Sequence, residues 1–334
     1  MPCDTGIATD MRPQIVIVCP ASPASNNGNW RTAARWQRLL RPLARVRIVQ
    51  QWPDAQAGQD TVMLALHARK SAAAITAWHA QHGPQGLGVV LTGTDLYPDI
   101  TQDPVALQSL AHAHSLALLQ DQAVQALPLA HRNKARVILQ SCGSRQTLPK
   151  PMRQLRVVVV GHLREEKNPH MLWRAVRQIP ADAGIRFEHI GHALDPALAH
   201  AAEATAAACP HYRWRQGLGH SETLRRIQRA HLLVHTSRSE GGAIVISEAI
   251  RSGTPVLATR IDGNVGLLGE NYAGLVEPDD ADALALRLLQ CRASQSGADG
   301  LLAQWQAQCA ERARLFDPAV EQAALQAWVE SLRA

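Results

Sequence analysis

Short β-branched apolar runs alternate with longer stretches rich in Ala, Leu and Arg, and the alternation occurs twice along the chain. A run of four to six such residues is long enough for one strand buried on both faces and too short for a core helix. Alternation of this kind builds βαβ units, and therefore parallel sheets sandwiched between helices. The first series of strands is expected at 15–19, 46–49, 62–66, 87–91, 116–119 and 137–139, with helices at 30–43, 71–81, 104–112 and 122–126. The second is expected at 155–160, 185–190, 212–214, 232–235 and 256–258, with a helix at 169–178 following its first strand.

Between the two series, Gly143, Ser144, Pro149, Lys150 and Pro151 interrupt all periodicity over 141–152, which marks a linker. The 334 residues are enough for two cores. The expected organisation is an N-terminal Rossmann-like domain over 13–145 and a C-terminal one over 153–316. An amphipathic helix at 317–334 carries Val320, Ala324, Leu325, Trp328 and Leu332 on one face and is expected to pack back on the N-domain. Two such sheets facing across a cleft present the carboxyl ends of their strands, where open α/β sheets take ligands.

Composition narrows the ligand. No apolar run approaches the roughly 20 residues that span a bilayer. The start of the chain lacks an apolar signal core, so a cytoplasmic protein is expected, with Met1 and Met11 both readable as starts. Six cysteines at scattered positions form no C-x-x-C pair, and His189 with His192, or His112 with His114, lack companion ligands, so no metal is expected. Gly28 belongs to no complete G-x-G-x-x-G, and no cofactor is implied. A net charge of +6 is spread along the chain without interleaved aromatics, which favours small anions over nucleic acid. The expected partners are small-molecule substrates, with neither membrane nor nucleic acid; a homo-oligomer stays open.

Two segments carry the chemistry. In 160–169, a strand ends at Gly161, and a turn bearing Arg164, Glu165, Glu166 and Lys167 enters a helix that Asn168 caps and Pro169 begins. Arg164 and Lys167 thus reach the sheet edge, where a departing pyrophosphate needs positive charge. The competing reading is a solvated loop in which the two glutamates pair those cations. In 235–249, a second strand passes through Glu240, Gly241, Gly242 and Ala243 into a helix bearing Glu248. Eight helical residues would separate the carboxylates by roughly 12 Å, which suits two ends of one elongated ligand. Glu248 would meet ribose hydroxyls and Glu240 sugar hydroxyls, and the glycines would leave the helix amides uncovered for phosphate.

This second half resembles the retaining-type glycosyltransferase superfamily with the GT-B fold, whose mark is a Glu, seven residues, Glu motif, here Glu240 to Glu248. The resemblance implies that Arg164 and Lys167 contact donor phosphates and that Gly217 and Leu218 form the loop that reads the nucleobase. It makes Arg164, Lys167 and Glu240 the expected catalytic residues. Gly28, Gly217, Leu218, Gly241, Gly242, Ala243 and Glu248 are the expected donor contacts. In the N-terminal half, the segments 19–33, 66–72 and 91–97 resemble the selenosugar synthases of selenoneine biosynthesis, which join selenophosphate to a UDP-sugar such as UDP-N-acetylglucosamine. The candidates for holding the acceptor are Asn27, Arg31, His67, Arg69, Lys70, Thr94 and Asp95, with Arg69 and Lys70 expected at a helix start. The alternatives are a hexosyltransferase with a hydroxyl acceptor and a nucleotide-sugar sensor without turnover.

Overall fold

The computed structural model describes residues 12–25, 28–97 and 99–334. The first sheet contains β1 (Gln14–Val18), β2 (Arg45–Val49), β3 (Val62–Leu66), β4 (Leu87–Leu91), β5 (Ser115–Leu118) and β6 (Ala135–Val137). All its pairs are parallel, in the order β2-β1-β3-β4-β5-β6. Its connections carry α1 (Gly28–Leu40), α2 (Ala72–His82), α3 (Pro104–His112) and α4 (Ala123–Ala126). The second sheet contains β7 (Leu155–Val160), β8 (Ile185–Ile190), β9 (Tyr212–Arg215), β10 (Leu232–His235), β11 (Val256–Thr259) and β12 (Leu275–Val276). It is also parallel, in the order β12-β11-β10-β7-β8-β9. Around it lie α5 (Pro169–Gln178), α6 (Pro196–Ala208), α7 (His220–Arg229), α8 (Ile244–Ile250), α9 (Asp262–Leu268), α10 (Ala281–Ala293) and α11 (Leu301–Arg312). The chain ends in α12 (Pro318–Arg333).

Successive residues of the first sheet feed opposite layers, as a period of two dictates. Val16, Val18, Met63 and Ala65 pack with Ile75 and Trp78 of α2 and Leu110 of α3. Ile15, Ile17, Leu64 and Leu66 pack with Trp36 of α1 and Trp328 and Leu332 of α12. Burial on both faces explains why these strands read as continuous apolar runs. Four helices open on an acid or amide followed by proline: Asp103-Pro104, Asn168-Pro169, Asp195-Pro196 and Asp317-Pro318. In each the capping side chain accepts a hydrogen bond from an amide of the first turn, as Asp103 does from Ala106 at 2.8 Å.

Some expected boundaries shift. β1 and β5 begin one residue before their apolar runs, at Gln14 and Ser115, because ladder hydrogen bonds need backbone and not an apolar side chain. β6 ends at Val137, two residues earlier than expected; Ile138 is apolar because it is buried in the α1 and α12 layer after leaving the strand. α1 and α2 each differ from expectation by one to three residues, and α2 starts only at Ala72.

No regular secondary structure occurs between 138 and 151, and the chain there passes from one sheet to the other. α12 returns to the first sheet. Its Trp328 meets Trp36 edge-on, with ring centroids 5.8 Å apart, and donates from Nε1 to Ser115 Oγ at 2.9 Å. Gly88 of β4 makes room for that ring: a Cβ there would lie 2.7 Å from it. Glu321, buried on α12, accepts from Trp36 Nε1 at 2.9 Å and from the Ser141 amide at 2.8 Å, tying the terminal helix to α1 and to the crossing segment.

Candidate functional site

β7 and β10 are neighbours in the second sheet, so the loops that leave their carboxyl ends must meet. The Arg238 amide donates to Glu166 O at 2.8 Å, and Thr236 Oγ1 donates to Lys167 O at 3.0 Å. At the centre, Lys167 Nζ donates to Glu240 Oε1 at 2.5 Å. The same carboxylate lies 3.1 Å from His235 Nε2 and accepts from Ser237 Oγ at 2.6 Å. Burial by itself would raise the Glu240 carboxyl, but Lys167 and His235 outweigh it and hold the group well below the usual carboxylate range. Lys167, His162, His189, His235 and Ser237 line a small cavity above the β7 and β10 ends.

The structure brings Lys167 and Glu240 together and leaves Arg164 apart from them. Its Nη1 pairs with Glu166 at 3.3 Å, the pairing that the competing sequence reading expects for this cation. His162 stands in the cavity wall in its place.

One expectation about the second segment needs correction. α8 begins at Ile244, so Glu240 is in the preceding loop and a helical rise does not set its distance from Glu248. A Cβ on Gly241 would lie 2.4 Å from the Thr92 carbonyl, and one on Gly242 2.7 Å from Leu119 Cβ, so the glycines let the loop approach the first domain. Gly93, at φ +117°, completes that backbone-to-backbone contact. Ala243 precedes α8 as its N-cap and gives no side-chain cap.

A cleft of about 610 Å³ opens between the halves beside this contact. Arg31, Arg35 and Arg38 reach it from α1, Arg145 from the crossing segment, His220 from α7 and Glu248 from α8. Arg31 Nη2 lies 3.4 Å from His220 Nδ1, a contact that joins the two domains, and Arg35 donates to Ser141 O. Glu248 is 4 % exposed and accepts no hydrogen bond from a described residue; His220 Nε2 is 3.7 Å away. Burial pushes its carboxyl up to about 7, although Arg31, Arg35 and Arg145 pull the other way. Gly217, at φ +120°, sits against the His192 ring, which a Cβ would approach to 2.2 Å; Leu218 follows, and the loop leads into His220 at the cleft.

The acceptor candidates fall into distinct surroundings. His67 is buried at φ +73°, with Nε2 3.2 Å from Thr94 Oγ1, a strained position at a strand end. Asp95 is fully buried and accepts from the amides of Ala68, Thr92 and Gly93 at 2.8, 2.9 and 3.0 Å, which makes it an organiser of the loop that meets Gly241. Arg69 pairs with Asp99 at 2.8 Å and Asp103 at 3.3 Å. It and the exposed Lys70 precede α2, so neither begins that helix. Arg31 is in the cleft, Gly28 opens α1 with open space where a Cβ would be, and Asn27 lies outside the described residues.

Arg35, Arg38, Arg145, His162, His220 and His235 were not singled out from the sequence. A signal existed for two of them: Arg35 and Arg38 follow Arg31 at the spacing of one helix face. Arg145 sits in a segment without periodicity, and the histidines end a strand, open a loop or begin a helix with no distinguishing spacing.

Two parallel-sheet α/β domains facing across a charged cleft define a GT-B protein, and solved structures share that architecture. HepE (Alr3699) of Anabaena, solved with UDP and glucose, is 16% identical and superimposes with a TM-score of 0.76 over 96% of this chain and 100% of its own. Sucrose-phosphate synthase of Thermosynechococcus elongatus is 17% identical, with a TM-score of 0.73 over 95% and 97%. The pneumococcal O-GlcNAc transferase GtfA, solved with UDP and GlcNAc, is 16% identical, with a TM-score of 0.63 over 81% and 57%. At these identities the likeness is one of fold. No curated protein sequence matches the chain. Residues 143–313 match the family described as glycosyl transferases group 1, just over half the chain, and the chain belongs to that family.

Proposed function

We propose that this glycosyltransferase takes a UDP-sugar as donor and transfers the sugar to selenophosphate, forming a selenium–carbon bond. The observation that carries the donor reading is the cleft, where four arginines face one buried carboxylate that has no hydrogen bond from a described residue. Guanidinium groups suit phosphate oxygens, and a buried acceptor aimed into a cavity suits the hydroxyls of a ribose. Two of the similar structures hold UDP together with a sugar.

In this reading Lys167 balances charge on the departing diphosphate, and Glu240, held ionised by Lys167 and His235, orients the sugar. Selenium attacks the anomeric carbon, the bond from that carbon to the β-phosphate oxygen breaks, and its electron pair leaves on UDP. Water then cleaves the phosphorus–selenium bond and releases phosphate. A soft, strongly nucleophilic acceptor needs positioning more than a general base. The selenium assignment rests on the N-terminal segments 19–33, 66–72 and 91–97 and on Arg31 facing the cleft from that domain.

The test is UDP release from UDP-N-acetylglucosamine with and without selenophosphate, with mass analysis of the product. Release that requires selenophosphate, with a selenium-bearing sugar, is expected. Release that proceeds instead with a hydroxyl acceptor would replace selenium transfer by hexosyl transfer to oxygen. Binding of UDP with no release under either condition would make the cleft a sensor site.

A further inference from the structure

Resting on the UDP-sugar reading above, we propose that His162 contacts the donor diphosphate as a neutral imidazole, donating a hydrogen bond from Nε2. His162 is the first polar residue beyond β7 and lines the small cavity together with Lys167, His189, His235 and Ser237. The His192 amide donates to its Nδ1 at 3.2 Å, and the two rings lie 5.7 Å apart, inclined by 29°. A ring that accepts at Nδ1 carries its proton at Nε2. That Nε2 has no hydrogen-bond partner among the described residues, whereas Lys167 and Arg164 are already held by Glu240 and Glu166.

The charges around the ring keep it neutral. Burial first, and then Arg164, His192, Arg31 and Lys167, lower its proton affinity, while His189 and His235 line the rest of the cavity and Glu240, outside that lining, is committed to Lys167. Arg31 belongs to the facing domain, so the imidazole stands where both domains direct cations. A neutral N–H gives an anion a directed contact without adding another positive charge to that crowd. It also keeps its proton throughout: as the carbon–oxygen bond breaks, charge grows on the β-phosphate oxygen and the hydrogen bond strengthens.

Two substitutions separate this role from a structural one. His162→Asn leaves an acceptor near the Nδ1 position for the His192 amide and removes the Nε2 donor, while His162→Gln places an amide N–H near the Nε2 position. UDP affinity, kcat and KM for the UDP-sugar, and thermal melting are measured for both variants and the wild type. The expected result is a fall in kcat of about 10²-fold in His162→Asn, the scale for losing one transition-state donor. Melting should be unchanged, with at least roughly tenfold recovery in His162→Gln. Wild-type kcat/KM should show no His162-dependent loss as pH rises through the ordinary histidine value of about 6.5. Wild-type kcat and affinity in His162→Asn would overturn the proposal, as would equal losses in both variants accompanied by lowered melting. A fall in wild-type kcat/KM through that pH, absent from His162→Gln, would replace the neutral donor by an imidazolium. A wild type that turns over its sugar donor while His162→Asn is normal fails this inference alone; a wild type that binds no UDP fails the donor reading with it.

Discussion

Glu248 shows how far a side chain's chemistry depends on what surrounds it. Its place in a Glu, seven residues, Glu pattern was legible, but the raised proton affinity of its carboxyl was not, because burial comes from both domains. The folded carboxyl titrates at about 7 against 4.5 for the free group, so the folded protein holds this proton more tightly than the unfolded chain. Its contribution to stability is fully present below the unfolded value and is lost as pH rises through the folded one. Glu248→Gln removes that loss: it should melt like the wild type near about pH 5 and several degrees higher near about pH 8, while binding UDP more weakly at the higher pH. Equal melting at both values would contradict the assignment. Lys167 and Arg164 also part company at this scale. Lys167→Ala should lower transfer by about 10²- to 10³-fold, because it leaves Glu240 buried with only His235 and Ser237 beside it. Arg164→Ala should cost less than about tenfold, well short of such a loss, because Glu166 already occupies its guanidinium. Steady-state kinetics with UDP release as the signal compare the two.

At the scale of elements, local signals carried well and contacts between elements did not. Asp-Pro and Asn-Pro caps and the doubly buried strands are written locally, and β3, β4, β7, β8 and β10 occupy the runs expected for them. The contact that Gly241 and Gly242 make with the first domain was not legible, because the surface they approach, Thr92, Gly93 and Leu119, belongs to loops more than a hundred residues earlier. A methyl group at Gly241 meets backbone on that side, which cannot rotate away. Gly241→Ala should therefore lower kcat strongly by forcing the loops apart. Its thermodynamic cost should be about 1–3 kcal/mol, the usual range for overpacking. Urea unfolding combined with small-angle scattering would register both effects; unchanged kcat with an unchanged radius of gyration would refute the contact. The arginine face of α1 lies between these cases, since its spacing was visible while its target across the cleft was not.

For the whole molecule, the terminal helix matters most, since α12 completes the layer beneath the first sheet after the chain has built the second. Trp328→Ala would empty a site shared with Trp36, Gly88 and Ser115 and should cost about 3–5 kcal/mol, with the loss seen in denaturant unfolding of the intact chain. A cost below about 1 kcal/mol would mean that the helix does not hold the domain together. Glu321 extends the same tie to Ser141 in the crossing segment, so the packing of α12 and the path between the domains are joined through one carboxylate.

By itself the sequence determined the class of fold, because the length and burial of an apolar run and the residue that caps a helix are properties of a few neighbouring positions. It also marked Lys167, Glu240 and Glu248, whose spacing follows from strand, turn and helix in succession. Only the tertiary structure decided which cations are already paired, which glycines touch the other domain and where His162 and Arg145 come to stand. Those outcomes depend on distances between segments far apart in the chain, and a linear order of residues fixes them only through the packing of two whole domains.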